Sequence, residues 1–182
     1  MRAGLAIGVV LIVQGAYGDA YSALKALYEA TNGAGWADNL LWDVSGATGN
    51  PCSPTWSKVT CTGSTVTGLD LNNQGLAGTL PASPWADLTA LTGALNLWDN
   101  DIVGTLPTEL GLLTSGGVKL RLGSHSENQQ GGLSGTIPLE LASNAYWKEL
   151  IFRRSSLSGT LPTELASSLG MLTLDWYHNL QM

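Results

Sequence analysis

The chain has 182 residues, 23 of them glycine, and a formal net charge of −6. That length fits one domain, and the ample apolar content excludes a disordered chain, because there is enough side chain to offset the entropy of ordering. The negative charge repels phosphate backbones and argues against a nucleic-acid partner.

The first predicted element is an export signal. Met1 and Arg2 place positive charge before an apolar run from Ala3 to Val13, and Ala16-Tyr17-Gly18 offers the small residues a signal peptidase needs. Residues 1–18 therefore read as a signal peptide, with a mature chain starting at Asp19. The apolar run is roughly half the length of a membrane-spanning helix, and no later segment of this sequence is long and apolar enough to span a bilayer.

Ala23 to Tyr28 reads as an amphipathic helix, ended by Thr31-Asn32-Gly33 and followed by Trp36 and Trp42. Next comes Pro51-Cys52-Ser53-Pro54-Thr55-Trp56, running on to Cys61. Cys52 and Cys61 are the only cysteines, and in an exported chain they meet an oxidising compartment, so they are expected to pair. A zinc site is the poorer reading, since two thiols with no nearby histidine do not complete a tetrahedral shell.

The rest of the chain repeats. Gly-Thr-apolar-Pro occurs at Gly78 to Pro81, Gly104 to Pro107, Gly135 to Pro138 and Gly159 to Pro162, with Leu76, Ile102, Leu133 and Leu157 two residues before each glycine. Upstream of each copy lies an apolar-x-apolar pair: Leu69 and Leu71, Leu95 and Leu97, Leu120 and Leu122, Leu150 and Phe152. Leu174 and Trp176 open a fifth unit, in which Trp176 is expected to be buried. Each pair predicts a short strand with two inward side chains. Three residues past the pair stand Asn100 and Asn179, placed to turn inward and bond the backbone of neighbouring coils, with Gln74 and Ser155 as polar substitutes. Glycine then permits a bend and proline fixes φ at the next turn. One unit cannot bury its apolar face alone, so the units are expected to stack.

These residues resemble the plant-type leucine-rich repeat, LxxLxLxxNxLxGxIP, whose period is about 24 residues. The resemblance implies an α/β fold: a leucine-rich-repeat right-handed solenoid with a helical, disulfide-bonded N-terminal cap. The cap would occupy residues 19–64, with Trp36, Trp42 and Trp56 filling it. Residues 65–182 would form four units and a truncated fifth. Trp85 and Trp147 fall in the convex stretches. Ser124 to Gly132 is an insertion in the third unit, either a contact loop or tolerated length. The sequence stops in mid-coil at Met182, and terminal repeats normally need a cap, which favours a fragment of a longer product.

In the resembled fold, side chains alternating with the buried pair line a concave face. That column reads Asp70, Asn72 and Asn73; Asn96, Trp98 and Asp99; Lys119, Arg121 and Ser124; Glu149, Ile151, Arg153 and Arg154; Asp175, Tyr177 and His178. Aromatic and arginine side chains dominate binding hot spots, so Trp98, Asp99, Arg121, Arg153, Arg154, Tyr177 and His178 are the candidate ligand-binding residues, with Trp98 as an exposed platform. The clustering of Lys119, Arg121, Lys148, Arg153 and Arg154 reads either as solvated surface or as a local anion-attracting patch.

Catalysis is not expected. His125 and His178 are the only histidines, and although Asp175 stands near His178 there is no nucleophile elbow. No phosphate-binding glycine loop is present. Glu109, Glu140 and Glu164 recur in phase with the prolines and mark repeat surface. No cofactor or metal is implied.

The resemblance implies an extracellular recognition module that binds a protein, peptide or glycan. It would be secreted, or held at the outer face of the plasma membrane if the chain is part of a receptor. The alternatives are an inhibitor of a wall-degrading glycosidase and a structural or adhesive matrix protein. No Asn-x-Ser/Thr sequon is present, so N-glycans are not expected to mask either face.

Overall fold

A computed structural model describes residues 17–82, 85–88, 90–124, 132–167, 170–171 and 173–179. The signal-peptide reading for residues 1–16 and most of the insertion, residues 125–131, lie outside the described residues.

The chain opens with α1 (Tyr17–Ala30). Tyr21, Leu24 and Leu27 recur at helical spacing and are almost wholly buried, together with Thr31 just beyond the helix. Thr31 ends the helix by donating both its backbone N–H and its hydroxyl to the Leu27 carbonyl. Asn32 then turns left-handed, at φ 57°. The three tryptophans expected here are all buried. Their rings pack with Tyr21 and Tyr28 at centroid distances of 4.7–5.8 Å, in mostly edge-to-face and tilted pairs. Each of the first two indoles also finds an acceptor, Trp36 in the Thr31 carbonyl and Trp42 in the Ser57 carbonyl. Cys52 and Cys61 form a disulfide.

β1 (Val59–Thr62) pairs antiparallel with β2 (Thr65–Asp70). From β2 onward each of the first four units supplies two strands. The first unit adds β3 (Ala77–Thr79); the second has β4 (Ala94–Asn96) and β5 (Asp101–Thr105). The third has β6 (Val118–Gly123) and β7 (Leu133–Gly135), the fourth β8 (Trp147–Arg153) and β9 (Ser156–Leu157), and the fifth β10 (Thr173–Asp175). The larger sheet runs β1-β2-β4-β6-β8-β10 and the smaller β3-β5-β7-β9, with every pairing beyond β1–β2 parallel.

Register follows the sequence pattern. Leu69, Leu95, Leu120, Leu150 and Leu174 stand in one row across the larger sheet. These leucines, with Leu71, Leu97, Leu122 and Phe152, form the core between the sheets, which Leu76, Ile102, Leu133 and Leu157 close from the other side. The Gly-Thr pair repeats for a packing reason. The Thr79 methyl lies 3.2 Å from where a Cβ on Gly104 would stand, and Thr105 and Thr136 lie 3.1 and 3.0 Å from the same points on Gly135 and Gly159. Each threonine thus covers the next unit's glycine.

Asn100 turns inward as the repeat requires. Its amide donates to the carbonyls of Leu71, Leu97 and Trp98, and its oxygen accepts from the backbone N–H groups of Gln74 and Leu76. Asn179 does the same for Phe152, Trp176 and Leu157. Gln74 substitutes imperfectly: its amide nitrogen bonds the Asn72 and Asn73 carbonyls, while its oxygen is buried without a partner.

Two tryptophans differ from expectation. Trp147 is not in a convex connection but begins β8, fully buried, with its indole donating to the Leu141 carbonyl. Its pairing with Val118 of β6 extends the strand to include it. Trp176, expected to be buried, is 36% exposed, because no described coil stacks beyond β10 to cover it. Trp85 lies in a short 3-10 turn between the sheets, as a connecting position should.

Asn100→Ala strips two buried N–H groups and three carbonyls of a shared partner. It should cost about 2–3 kcal/mol, as a lost buried hydrogen-bond cluster does. A urea midpoint indistinguishable from wild type would contradict this account.

Candidate functional site

The outward face of the larger sheet is built from the residues between and just beyond the leucines. Its central row runs Asp70, Asn96, Arg121, Ile151 and Asp175 in register. A second row follows one strand position past the leucine pairs, where Gly123 stands beside Arg153, and the ladder continues from Trp98 to Gly123 through the Asp99 N–H bonding the Gly123 carbonyl.

Polar side chains on this face are tied across coils. Asn96 donates to Asp70 at 2.9 Å, and Ser124 donates to Asp99 at 2.9 Å. Arg121 pairs with Glu149, and Arg153 pairs with Asp175 through both Nε and Nη2. These bonds shift protonation in the direction of charge. The hydrogen bond from Arg153 holds the Asp175 carboxyl below the usual carboxylate range, against the opposing effect of burial. The hydrogen bonds that Arg121 and Arg153 donate to Glu149 and Asp175 raise their own pKa values.

Between these pairs lies a notch of about 450 Å³. Trp98, Asp99, Arg121 and Arg153 line it, together with Asn72, Asn96 and Ile151. Where other coils carry Asn72, Trp98, Arg153 or Tyr177, the third coil carries Gly123 and no side chain. Nor does the site tolerate one, since a Cβ there would stand 2.0 Å from the Arg153 carbonyl oxygen, at φ +105°.

Four of the seven candidate residues are therefore brought together, and three are not. Arg154 and His178 take left-handed backbone, φ 53° and 62°, at the turn ending each strand, the same turn that Asn73 and Asp99 make. Tyr177 is 63% exposed, its ring against His178 and away from the notch. Trp98 differs more sharply. It is only 7% exposed, so it forms a wall and not an open platform.

Sequence reasoning placed Asn72, Asn96 and Ile151 on this face without choosing them as site residues. It missed Glu149 and Asp175 as partners of the arginines, because cross-coil pairing depends on register. Among the described residues, no group of three or more His, Cys, Asp or Glu is placed to hold a metal ion.

Comparison with known proteins follows the same lines. The described coils match a plant ice-binding protein with a TM-score of 0.67 at 20% identity, covering 88% of this chain and 47% of that one. They match PEPR1 in the PEPR1-AtPEP1 structure with a TM-score of 0.58 at 20% identity, covering 87% of this chain and 24% of that one. The chain has the plant-type leucine-rich-repeat fold. In sequence it resembles plant receptor kinases: it is 38% identical over 90 residues to the probable inactive receptor kinase RLK902 of Arabidopsis thaliana, and 32% identical over 74 residues to the leucine-rich-repeat receptor-like kinase GHR1 of the same plant. Those matches take in 50% and 41% of this chain but only 12% and 7% of the relatives. No family model matches the chain.

The Asp175 pair has a pH signature. A carboxylate whose folded pKa is depressed stabilises the fold at neutral pH, and that contribution is lost as pH falls through the folded pKa. Asp175→Asn should therefore cost less than about 1 kcal/mol at neutral pH, since the pair is solvent-screened. The gap to wild type should close below about pH 4. Thermal melts across an acid series test this, and a gap that stays constant into acid would refute it.

Proposed function

We propose that this chain is an extracellular recognition module that binds another molecule on the outward face of its larger sheet and does not transform it. The units form a right-handed solenoid whose concave face is that sheet. Residues 19–64 act as its helical, disulfide-bonded cap, and 65–182 as the repeats, behind a leader at 1–18. The observation that carries the reading is the notch between Trp98 and Arg153, where two arginines held by carboxylates meet Asn, Asp and apolar walls on a parallel sheet. Pockets with a few convergent polar groups on a preformed frame are the usual form of a binding site. The likeness to PEPR1, solved with AtPEP1, and to receptor kinases supports an extracellular ligand and a place outside the cell.

Two substitutions on opposite faces test this: Ile151→Arg on the larger sheet and Val103→Arg on the smaller. Wild type and both variants, immobilised, are probed with a random peptide library and an array of extracellular polysaccharides. Binding should fall at least tenfold with Ile151→Arg and persist with Val103→Arg. The reverse pattern moves the binding face to the smaller sheet, and no retention by wild type ends the recognition reading.

A second reading is favoured by one observation on that other face. Thr79, Thr105, Thr136 and Thr160 are exposed and recur once per unit, the first two ending strands of the smaller sheet and the last two just beyond its strands. The likeness to a plant ice-binding protein gives these threonines a candidate target, an ice surface. Thr105→Lys should then abolish inhibition of ice recrystallisation while the melting temperature holds. Wild-type protein without any such inhibition would remove this reading.

A further inference from the structure

Resting on the reading of the smaller sheet as an ice-binding face, we propose that this face works through its threonine hydroxyls and not through their methyls. Gly104, Gly135 and Gly159 are then the residues that position those hydroxyls. The argument starts from how each threonine sits on the glycine of the next unit. Thr79 Cγ2 lies 3.2 Å and Thr79 Cβ 3.8 Å from where a Cβ on Gly104 would stand. For Thr105 over Gly135 the two distances are 3.1 and 3.8 Å, and for Thr136 over Gly159 they are 3.0 and 3.9 Å. In none of the three does Oγ1 come within 4 Å of that point. The side chains therefore share one orientation, with the methyl against the glycine and the hydroxyl turned away from it. A side chain in place of the glycine would press on that methyl. The glycines also stand at φ +87°, +78° and +85°, where other residues are strained.

The hydroxyls are left for a ligand. Among the described residues, none of the Thr79, Thr105 and Thr136 hydroxyls bonds another group of the chain. The serines beside them differ. Ser134, paired in register with Thr105, donates its hydroxyl to the Gly104 carbonyl, and Ser158 donates its own to the Gly135 carbonyl. The threonines are exposed where both serines are half-buried. A hydroxyl donates once and accepts twice, which matches the water molecules of an ice surface. Charge does not compete, since Asp101 is the single charged residue within β3, β5, β7 and β9. A methyl-led contact needs Cγ2 groups that face the target, and here they face the next coil. Branching at Cβ leaves threonine few χ1 choices, and the glycine contact selects one of them. The hydroxyls are thus held before a ligand arrives, and little rotamer freedom is lost on docking.

The test uses the whole chain and two substitutions that divide one side chain. Thr105→Val keeps the shape and the methyl against Gly135 but has no hydroxyl. Thr105→Ser keeps the hydroxyl but not the methyl that fixes it. Inhibition of ice recrystallisation is titrated for wild type and both variants, with thermal melts as the control for folding. Thr105→Val should raise the concentration needed by about fivefold, as the loss of one hydrogen bond does. Thr105→Ser should raise it by less, because the hydroxyl remains. Three-bond NMR couplings from Cγ2 to the backbone nitrogen and carbonyl carbon should report a single χ1 rotamer at Thr79, Thr105 and Thr136. Gly135→Ala, whose new methyl meets that of Thr105, should move the Thr105 couplings. Full inhibition by Thr105→Val beside a loss in Thr105→Ser overturns the assignment to hydroxyls and leaves the ice reading in place. Couplings averaged over rotamers in wild type, or unmoved by Gly135→Ala, overturn the positioning by glycine. Wild type without inhibition removes the ice reading and this assignment with it.

Discussion

The structure depends on one constraint, that each coil must leave its backbone groups paired to the coil beside it. Parallel pairing satisfies the strands, but each strand then ends in a turn whose N–H and carbonyl groups point into the stack. An unpaired buried backbone group costs about 1–3 kcal/mol, and several such groups occur at every turn. Asn100 meets five of them with one side chain. Only an amide does this, because it carries two donors and an acceptor at the right reach. Where the position holds glutamine, at Gln74, the longer side chain reaches carbonyls of its own turn and leaves its oxygen unmatched. The asparagine row and the leucine row are thus two halves of one device: leucine sets the register and asparagine closes the turn.

The same constraint acts at the start of the stack. The first coil has no repeat before it, and the N-terminal segment supplies what is missing. The Ala77 N–H bonds the Thr31 carbonyl just past α1, and the Ala37 N–H bonds the Gln74 carbonyl. The approach is close enough that a Cβ on Gly78 would stand 2.2 Å from the Ala30 carbonyl oxygen. On the other sheet β1 pairs antiparallel with β2, which covers the edge that a parallel stack would otherwise expose. The aromatic cluster and the disulfide hold this segment together where no repeat contributes apolar area.

Most of this fold was legible in the sequence because its causes are local and periodic. The Leu-x-Leu pairs, the inward asparagines and the Cys52–Cys61 pair are set by residue type at fixed spacing, and the structure places them as that spacing requires. The site was less legible, since it is set by what stands beside a residue two dozen positions away. Trp98 belongs to an outward column, yet its burial is decided by the neighbouring coils. Arg121 and Arg153 looked like open cations; their carboxylate partners lie on the next coil, and only register reveals them. Trp147 shows the same limit, as the length of β8 is a property of its pairing with β6.

Gly123 is the position of the outward column at which the stack carries no side chain, between Trp98 and Arg153. Repetition by itself yields a ridge of side chains along the sheet, with no concavity deeper than the gaps between neighbours. The notch beside this column is walled by side chains, several of them fixed by cross-coil bonds. The φ of +105° and the close Arg153 carbonyl mean that the vacancy is not refilled by a simple substitution. A larger residue there would have to push β8 away from β6, which the longest parallel pairing in the sheet resists. The notch is therefore as rigid as the stack itself, and its shape is inherited from the same leucine and asparagine rows that hold the coils in register.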